Sequence, residues 1–227
     1  MWILADEAAN DFSIGMALCD YIPVILYGCA AFLLLRDLHN KAGRVAYSLM
    51  AAGFIFNVLA GFCKATWKLL YAANICDFSP LNEMFFPVQS FAFLLAGAGA
   101  LALIITGRKK PMVAASFLAP VVWSGTMLFV AFMCIGLGLL DAGLIFVCVM
   151  MKRKRYIPLF VVSFVFCLGM GYLSSQDFSE AYWNWIAEGV NIIGCGALFV
   201  GALLLHKDGL ADFKMDGSQP PKEAKAE

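Results

Sequence analysis

The stretch CIGLGLLDAGLIFVC, Cys134–Cys148, is apolar on both sides of a single acid, Asp141. No other formal charge occurs between Lys110 and Lys152. The whole chain has 227 residues, is 62% hydrophobic and 14% charged, and has a mean hydropathy of +0.81. A soluble domain of this length has too little interior to bury so much apolar surface. The sequence therefore predicts an all-α, polytopic membrane protein.

Charged clusters divide the chain into seven apolar blocks, each close to the length that a bilayer-spanning helix needs. We expect crossings at about 13–35, 45–70, 83–106, 112–131, 133–151, 157–174 and 182–205. The fourth and fifth lie in one long apolar interval, so their turn is expected near Ala131–Gly138, where Gly136 and Gly138 occur. The seven-helix transmembrane domain would then comprise residues 1–207. Residues 208–227 are polar and are expected to form a disordered cytoplasmic tail.

Basic residues orient this seven-helix topology. If the N-terminus is outside, every lysine and arginine except Lys64 and Lys68 falls on the cytoplasmic side. These residues form four groups: Arg36, Lys41 and Arg44; Arg108, Lys109 and Lys110; Lys152, Arg153, Lys154 and Arg155; and Lys207, Lys214, Lys222 and Lys225. Because cytoplasmic loops are enriched in positive charge, all four groups favour an outside N-terminus and a cytoplasmic C-terminus. The short loops favour the inner membrane of a bacterium.

Two spans share a short pattern of small residues. Span three contains GAGAL (Gly97–Leu101) and span seven contains GCGAL (Gly194–Leu198), an alignment that places Lys110 opposite Lys207. Either a parallel duplication of spans 1–3 and 5–7, with span 4 as a linker, or independent selection for close packing accounts for the match. The duplication resembles, in topology alone, the three-plus-one-plus-three plan of the SWEET sugar transporters and of microbial rhodopsins. The PQ dipeptide of the PQ-loop relatives is absent, and span seven has no central lysine for a retinal Schiff base.

Polar side chains within apolar spans are costly in hydrocarbon, so they mark candidate functional positions. One group is expected to line an outward-opening cavity for a small-molecule ligand: Asp20, Asn57, Lys64, Glu188 and Asn191. Lys64 would either pair with Glu188 or Asp20 or extend to the membrane interface. For Lys68 the interface is the favoured location.

Asp141 is the deepest acid of the predicted bundle. It lies eleven residues before Lys152, about 16 Å into the bilayer at 1.5 Å per residue and close to the midplane. It can be a neutral acid that is hydrogen-bonded to a neighbouring helix. It can also be a proton- or ion-coupling group. If the turn lay at Gly136–Gly138, Asp141 would instead be close to the outer surface.

Several chemistries are disfavoured. The two histidines, His39 and His206, both lie at predicted cytoplasmic ends, which argues against an intramembrane haem or a histidine-rich zinc site. No nucleotide-binding loop occurs, and the zero net charge argues against a nucleic-acid partner. We expect no metal and no cofactor. Among the eight cysteines only Cys76 falls in a polar loop, where a bridge to Cys63 or Cys19 is left open.

The polar cavity and the midplane acid favour a transporter of a small polar or zwitterionic solute or ion. The alternative is a non-transporting receptor, sensor or accessory subunit of a membrane complex. A membrane enzyme that acts on lipid is a third hypothesis, disfavoured because no activated nucleophile or acid pair is apparent. The expected partners are the lipid bilayer, a small-molecule ligand and either a membrane protein partner or a second copy of the chain.

Overall fold

The computed structural model describes residues 13–106, 126–173 and 181–213, and within these ranges it contains helices and turns but no strands. Six of its helical spans are long and apolar enough to cross a membrane, as in a multi-pass membrane protein. The helices are α1 Ile14–Cys19, α2 Tyr21–Leu38, α3 Arg44–Ala72, α4 Pro80–Glu83, α5 Phe85–Thr106, α6 Thr126–Met150, α7 Ile157–Leu173 and α8 Ala181–Lys207. A short 3-10 turn, Lys154–Tyr156, precedes α7.

The six long helices form a closed ring in the order α2, α3, α5, α6, α7, α8. Most neighbours in the ring are antiparallel, but α5 and α6 run in the same direction. Gly136 packs against the backbone of Phe93 and Leu94, and Gly143 packs against Ala100 further along both helices.

The α8–α2 contact is also parallel. Gly196 faces Leu26, and further along both helices the Nδ1 atom of His206 lies 2.9 Å from Oδ2 of Asp37. The ring thus consists of two consecutive three-helix sets, α2–α3–α5 and α6–α7–α8, with the same pattern of directions and a parallel contact at each junction between the sets. This arrangement agrees with the duplication hypothesis for spans 1–3 and 5–7, which stays a prediction.

Basic residues collect at one end of the ring, called here the basic end, where α2, α5, α6 and α8 finish and α3 and α7 begin. The opposite end is called the cavity end. At the basic end Asp208 accepts a 2.7 Å hydrogen bond from the Tyr156 hydroxyl and lies 2.8 Å from Nε of Arg153. This hydroxyl, followed by the neighbouring arginines, holds the pKa of Asp208 below its ordinary value. Leu210 is fully buried, so the first residues after α8 pack against the bundle.

The hydrophobic core fills the half of the ring next to the basic end. It includes Leu34, Leu38, Met50, Phe54, Leu103, Leu140, Leu144, Phe160 and Leu205, all fully or almost fully buried. Gly53 brings α3 directly onto the backbone of Ala92 and Ala96 in α5, where any added Cβ would overlap backbone atoms. Small residues allow this approach because they present no side chain between the two helices.

The turn predicted at Ala131–Gly138 is wrong, because α6 is a continuous helix from Thr126 to Met150. Gly136 and Gly138 do not break this helix. Gly136 instead permits backbone contact with α5, and Gly138 accommodates the Phe164 ring of α7. Asp141 therefore lies within a long helix, and its placement near an outer turn is also wrong. Most of the predicted fourth span, 112–131, lies outside the described residues, and its last residues belong to α6.

Candidate functional site

A cavity of about 410 Å³ occupies the interior of the ring between its middle and the cavity end. This volume lies within the range of sites that bind small organic molecules. Its floor includes Tyr27, Leu137, Ser163 and Leu198, and its upper lining includes Lys68. The packed core lies below this floor.

All five residues predicted to bind a ligand line this one cavity: Asp20, Asn57, Lys64, Glu188 and Asn191. They come from the junction of α1 and α2, from α3 and from α8, which are neighbours in the ring. Asp20 lies at the break between α1 and α2. This break is close to Pro23, which has no N–H to donate to the carbonyl of Cys19. The carboxylate of Asp20 is buried within the bundle.

Lys68 does not extend to the interface, contrary to the sequence-based expectation. Its ammonium group forms a 2.5 Å ion pair with Oδ2 of Asp20, and the side chains are only 12% and 8% exposed. The rotation of α3 relative to α2 brings the lysine inward. A charged side chain at this depth requires such a partner because its desolvation is otherwise uncompensated.

Lys64 lies on the aromatic rings at the start of α5. Its Nζ atom is 4.0 Å from the centre of the Phe85 ring and 5.4 Å from that of Phe86. Asp20 and Glu188 face the same ammonium group, but no direct ion pair of Lys64 is present among the described residues. The aromatic faces stabilise the cation while leaving its N–H groups available to a ligand.

The carboxyl groups of Asp20 and Glu188 both line the cavity. Each is almost fully buried, and each retains one oxygen without a hydrogen-bond partner in the described part of the chain, namely Oδ1 of Asp20 and Oε1 of Glu188. Oε1 of Gln89, on α5, is a third buried acceptor of this kind. Buried polar atoms are rarely left without partners, so these three oxygens indicate a site for a donor group of a ligand.

Tyr27 and Asn57 form part of the cavity floor. The Tyr27 hydroxyl faces the Asn57 side chain, and the Tyr27 ring makes edge-to-face contacts with Phe54 and Phe93, each with centroids 5.9 Å apart. The sequence pattern assigns no binding role to Tyr27 or Gln89. A tyrosine within an apolar helix is not by itself distinguishable from an interfacial aromatic residue.

Asp141 lies one helical turn beyond Leu137, beneath the floor, and does not line the cavity. Its side chain is 2% exposed and faces the Ser163 hydroxyl of α7, which does line the cavity. Neither carboxyl oxygen has a partner in hydrogen-bonding geometry among the described residues. The acid therefore occupies the contact between α6 and α7, close to the cavity but separated from it by Ser163.

Comparison of the chain with protein families, with curated proteins and with solved structures finds no match. The charged groups on its lining are two carboxylates and two lysines, with aromatic rings beside them. Across residues 13–106, 126–173 and 181–213, no cluster of histidine, cysteine or acidic side chains could hold a metal ion, and all eight cysteines are free thiols. Such a lining is suited to an amphipathic organic molecule with polar groups at one side.

Proposed function

We propose that this chain is a membrane transporter of a small polar or zwitterionic organic solute, with its binding site in the central cavity. The observation that supports it best is the asymmetry of the ring. A polar cavity reaches from the cavity end to the middle of the bundle, and a packed apolar core closes the remaining half. An alternating-access transporter has this form when its site faces one side of the membrane.

The helix contacts support a movement of two bodies around the cavity. In one body, α3, α5 and α6 meet backbone to backbone, as at Gly53 and Gly136. The contacts at the two boundaries of this body are made through side chains, with Gly28 facing Val58 and Gly138 facing Phe164. Helices that meet through side chains can slide past each other more easily than helices in backbone contact. The α7–α8–α2 set can therefore rock against the first body and open the basic end.

The parallel directions of α5 and α6 support the seven-helix topology. Thr106 and Thr126 lie at opposite ends of the bundle, and we propose that the seventh crossing lies between them. With a seventh crossing at this point, all four basic groups lie on the same side of the membrane. The positive-inside rule favours a cytoplasmic basic end and an outer cavity end, and we propose the inner membrane of a bacterium as the location.

Asp141 is the proposed coupling group. An ionised carboxylate is costly in the dry contact between α6 and α7, so the acid is neutral while these helices are packed. Sliding of α7 would admit water to Asp141 and allow it to lose its proton. Proton binding at Asp141 would thereby be linked to the movement that changes the accessible side of the cavity.

Filling the cavity is expected to abolish transport. In the variant Asn191→Trp an indole would occupy the space between Glu188 and the floor, whereas in Ile193→Trp it would lie on the 49% exposed, lipid-facing side of the same helix. We expect solute counterflow in proteoliposomes to fall roughly tenfold or more in the first variant, about 1.4 kcal/mol in the rate-limiting barrier, and to be retained in the second. Equal flux in both would contradict a central route.

Counterflow with a panel of zwitterionic and amine-bearing solutes tests the function itself. Solutes that raise the thermal stability of the purified protein are expected to exchange across the membrane. A solute that stabilises the protein, yet is not exchanged by properly inserted protein, would favour the receptor or accessory-subunit alternative. A stoichiometric membrane protein partner in the purified sample would strengthen that alternative.

A further inference from the structure

We propose that the central cavity binds a free amino acid with a large apolar side chain. Its ammonium group would contact the carboxyl groups of Asp20 and Glu188, its carboxylate would contact Lys64, and its side chain would point toward the cavity floor. This inference rests on the proposed function, because it names the class of solute for the same cavity. It also gives the orientation in which that solute is held.

Two of these charged residues, Asp20 and Lys64, lie at the same depth in the bundle. A Cβ atom added at Gly61 of α3 would meet the side chain of Val24 of α2, so these two positions share one level. Toward the cavity end, Asp20 is four residues from this contact on α2 and Lys64 is three residues from it on α3. At a rise of 1.5 Å per residue, the two levels differ by only about 1.5 Å.

Glu188 lies close to the same level on α8. The reference point is Gly196, which faces Leu26 where α8 and α2 run in parallel. Toward the cavity end Glu188 is eight residues from this contact and Asp20 is six, so their levels differ by about 3 Å. All three charged residues line the cavity. They are called here the charged layer, which comprises Asp20, Lys64 and Glu188.

The charged layer contains an acid and a base that lack ion-pair partners in the described part of the chain. Lys68 pairs with Asp20 at 2.5 Å, which compensates that carboxylate. Glu188 is 7% exposed, and its Oε1 atom has no hydrogen-bond partner among the described residues. Lys64 lies on the Phe85 ring and forms no ion pair there. The site therefore offers one acidic and one basic contact to a ligand.

A zwitterion satisfies both contacts without adding net charge. The ammonium group of an amino acid carries three N–H donors for the unpartnered oxygens of Asp20 and Glu188, and its carboxylate accepts N–H bonds from Lys64. Both groups are attached to one carbon atom, so they fit side chains that lie at one depth. An amine alone would leave Lys64 unpaired, and a carboxylate alone would leave Glu188 unpaired. Because a buried charge is costly without a partner, both halves of the zwitterion are needed.

The lining between the charged layer and the floor is mainly apolar and suits a large side chain. Phe93, Leu137 and Leu198 contribute to it. The floor residue Tyr27 is seven residues beyond Asp20 on α2, which makes it about 10 Å deeper. An aromatic side chain would extend into this space and bury its apolar surface there, whereas glycine would leave the space unfilled.

Calorimetry on the full-length protein in detergent tests whether each part of the solute is recognised. L-phenylalanine is compared with phenethylamine, which lacks the carboxylate, with hydrocinnamate, which lacks the ammonium group, and with glycine, which lacks the side chain. We expect L-phenylalanine to bind, and each of the other three to bind at least roughly tenfold more weakly. No binding of L-phenylalanine, or equal binding of any of the other three, would overturn the proposal.

Two matched variants assign the contacts. Lys64→Gln is expected to weaken L-phenylalanine binding roughly tenfold and to retain phenethylamine binding, because only the carboxylate contact is lost. Glu188→Gln is expected to weaken binding of L-phenylalanine and phenethylamine, but not of hydrocinnamate. Lys207→Gln and Glu83→Gln make the same changes at exposed positions outside the cavity lining and should behave as the unmodified protein.

Unchanged L-phenylalanine affinity in both cavity variants would contradict the assigned contacts. The comparison of the four ligands uses the unmodified protein, so it remains a valid test even if a variant folds poorly.

Flux measurements separate this inference from the proposed function. Selective binding of L-phenylalanine by protein that transports no solute in proteoliposomes supports the amino-acid site and contradicts the transporter. Exchange of other panel solutes by protein that does not bind L-phenylalanine supports the transporter and contradicts the amino-acid site.

Discussion

Asp141→Asn is expected to lower solute transport roughly tenfold or more while the folded protein remains stable. Asparagine has nearly the shape of a protonated aspartic acid, so the variant can keep the packed arrangement of α6 and α7 around a side chain that is 2% exposed. It cannot ionise. Any step in which Asp141 releases its proton to allow helix movement would therefore be lost, whereas binding in the cavity would not require it.

The measurement is counterflow in proteoliposomes, together with thermal unfolding in detergent. Asp212→Asn is a suitable control because it makes the same change at an exposed position near the basic end. A decrease in transport with an unchanged unfolding temperature supports the coupling role. Unchanged transport would remove Asp141 from the mechanism and leave it as a neutral acid that contacts Ser163.

Asp20→Ala is expected to destabilise the folded protein by about 3–5 kcal/mol, the typical cost of removing one partner from a buried ion pair. The ammonium group of Lys68 would lose the carboxylate that lies 2.5 Å away, at a position where both side chains are largely buried. Because Glu188 lines the same cavity as Asp20 and Lys68, the comparison is made in a Glu188→Gln background.

A double-mutant cycle isolates the pair. The single variants Asp20→Leu and Lys68→Met each leave one buried charge without its partner. The double variant should recover most of the stability that the single variants lose, because it has no buried charge at either position. The free energy of unfolding is measured for both single variants and the double variant in the same detergent. Additive effects of the two single substitutions would show that this ion pair does not stabilise the bundle.

Much of the cavity is predictable from the sequence. Asp20, Asn57 and Glu188 are polar residues within apolar helices. A polar side chain is costly on the lipid-facing side of a helix, so these residues are expected to face other helices. Their meeting in one cavity follows once the helices form a ring. The helices themselves follow from apolar length, which the bilayer requires.

The partners of these residues were less predictable. Lys64 and Lys68 lie one turn apart on α3, and only the rotation of that helix decides which one reaches Asp20. The aromatic contact of Lys64 with Phe85 is equally hidden, because 20 phenylalanines are spread along the chain. These details depend on packing angles that no local pattern encodes.

Glycine caused the error in the predicted turn between the fourth and fifth spans. In soluble proteins two closely spaced glycines, such as Gly136 and Gly138, often indicate a turn, because glycine adds backbone freedom. Within a membrane the same residues more often permit close helix contact. In α6 the hydrogen-bonded helix continues through both, and the missing side chains accommodate α5 and α7. The apolar length alone could not distinguish these two uses.

The central claim is that the cavity opens alternately to the two sides of the membrane. It is tested most directly in a cysteine-free variant that carries Val190→Cys, a position on α8 that lines the cavity. A membrane-impermeant thiol reagent is applied to right-side-out and to inside-out vesicles, with Ile193→Cys as the lipid-facing control. We predict that Val190→Cys is modified from both sides and that a bound solute changes the two rates in opposite directions. Modification from one side only, with or without solute, would contradict the account.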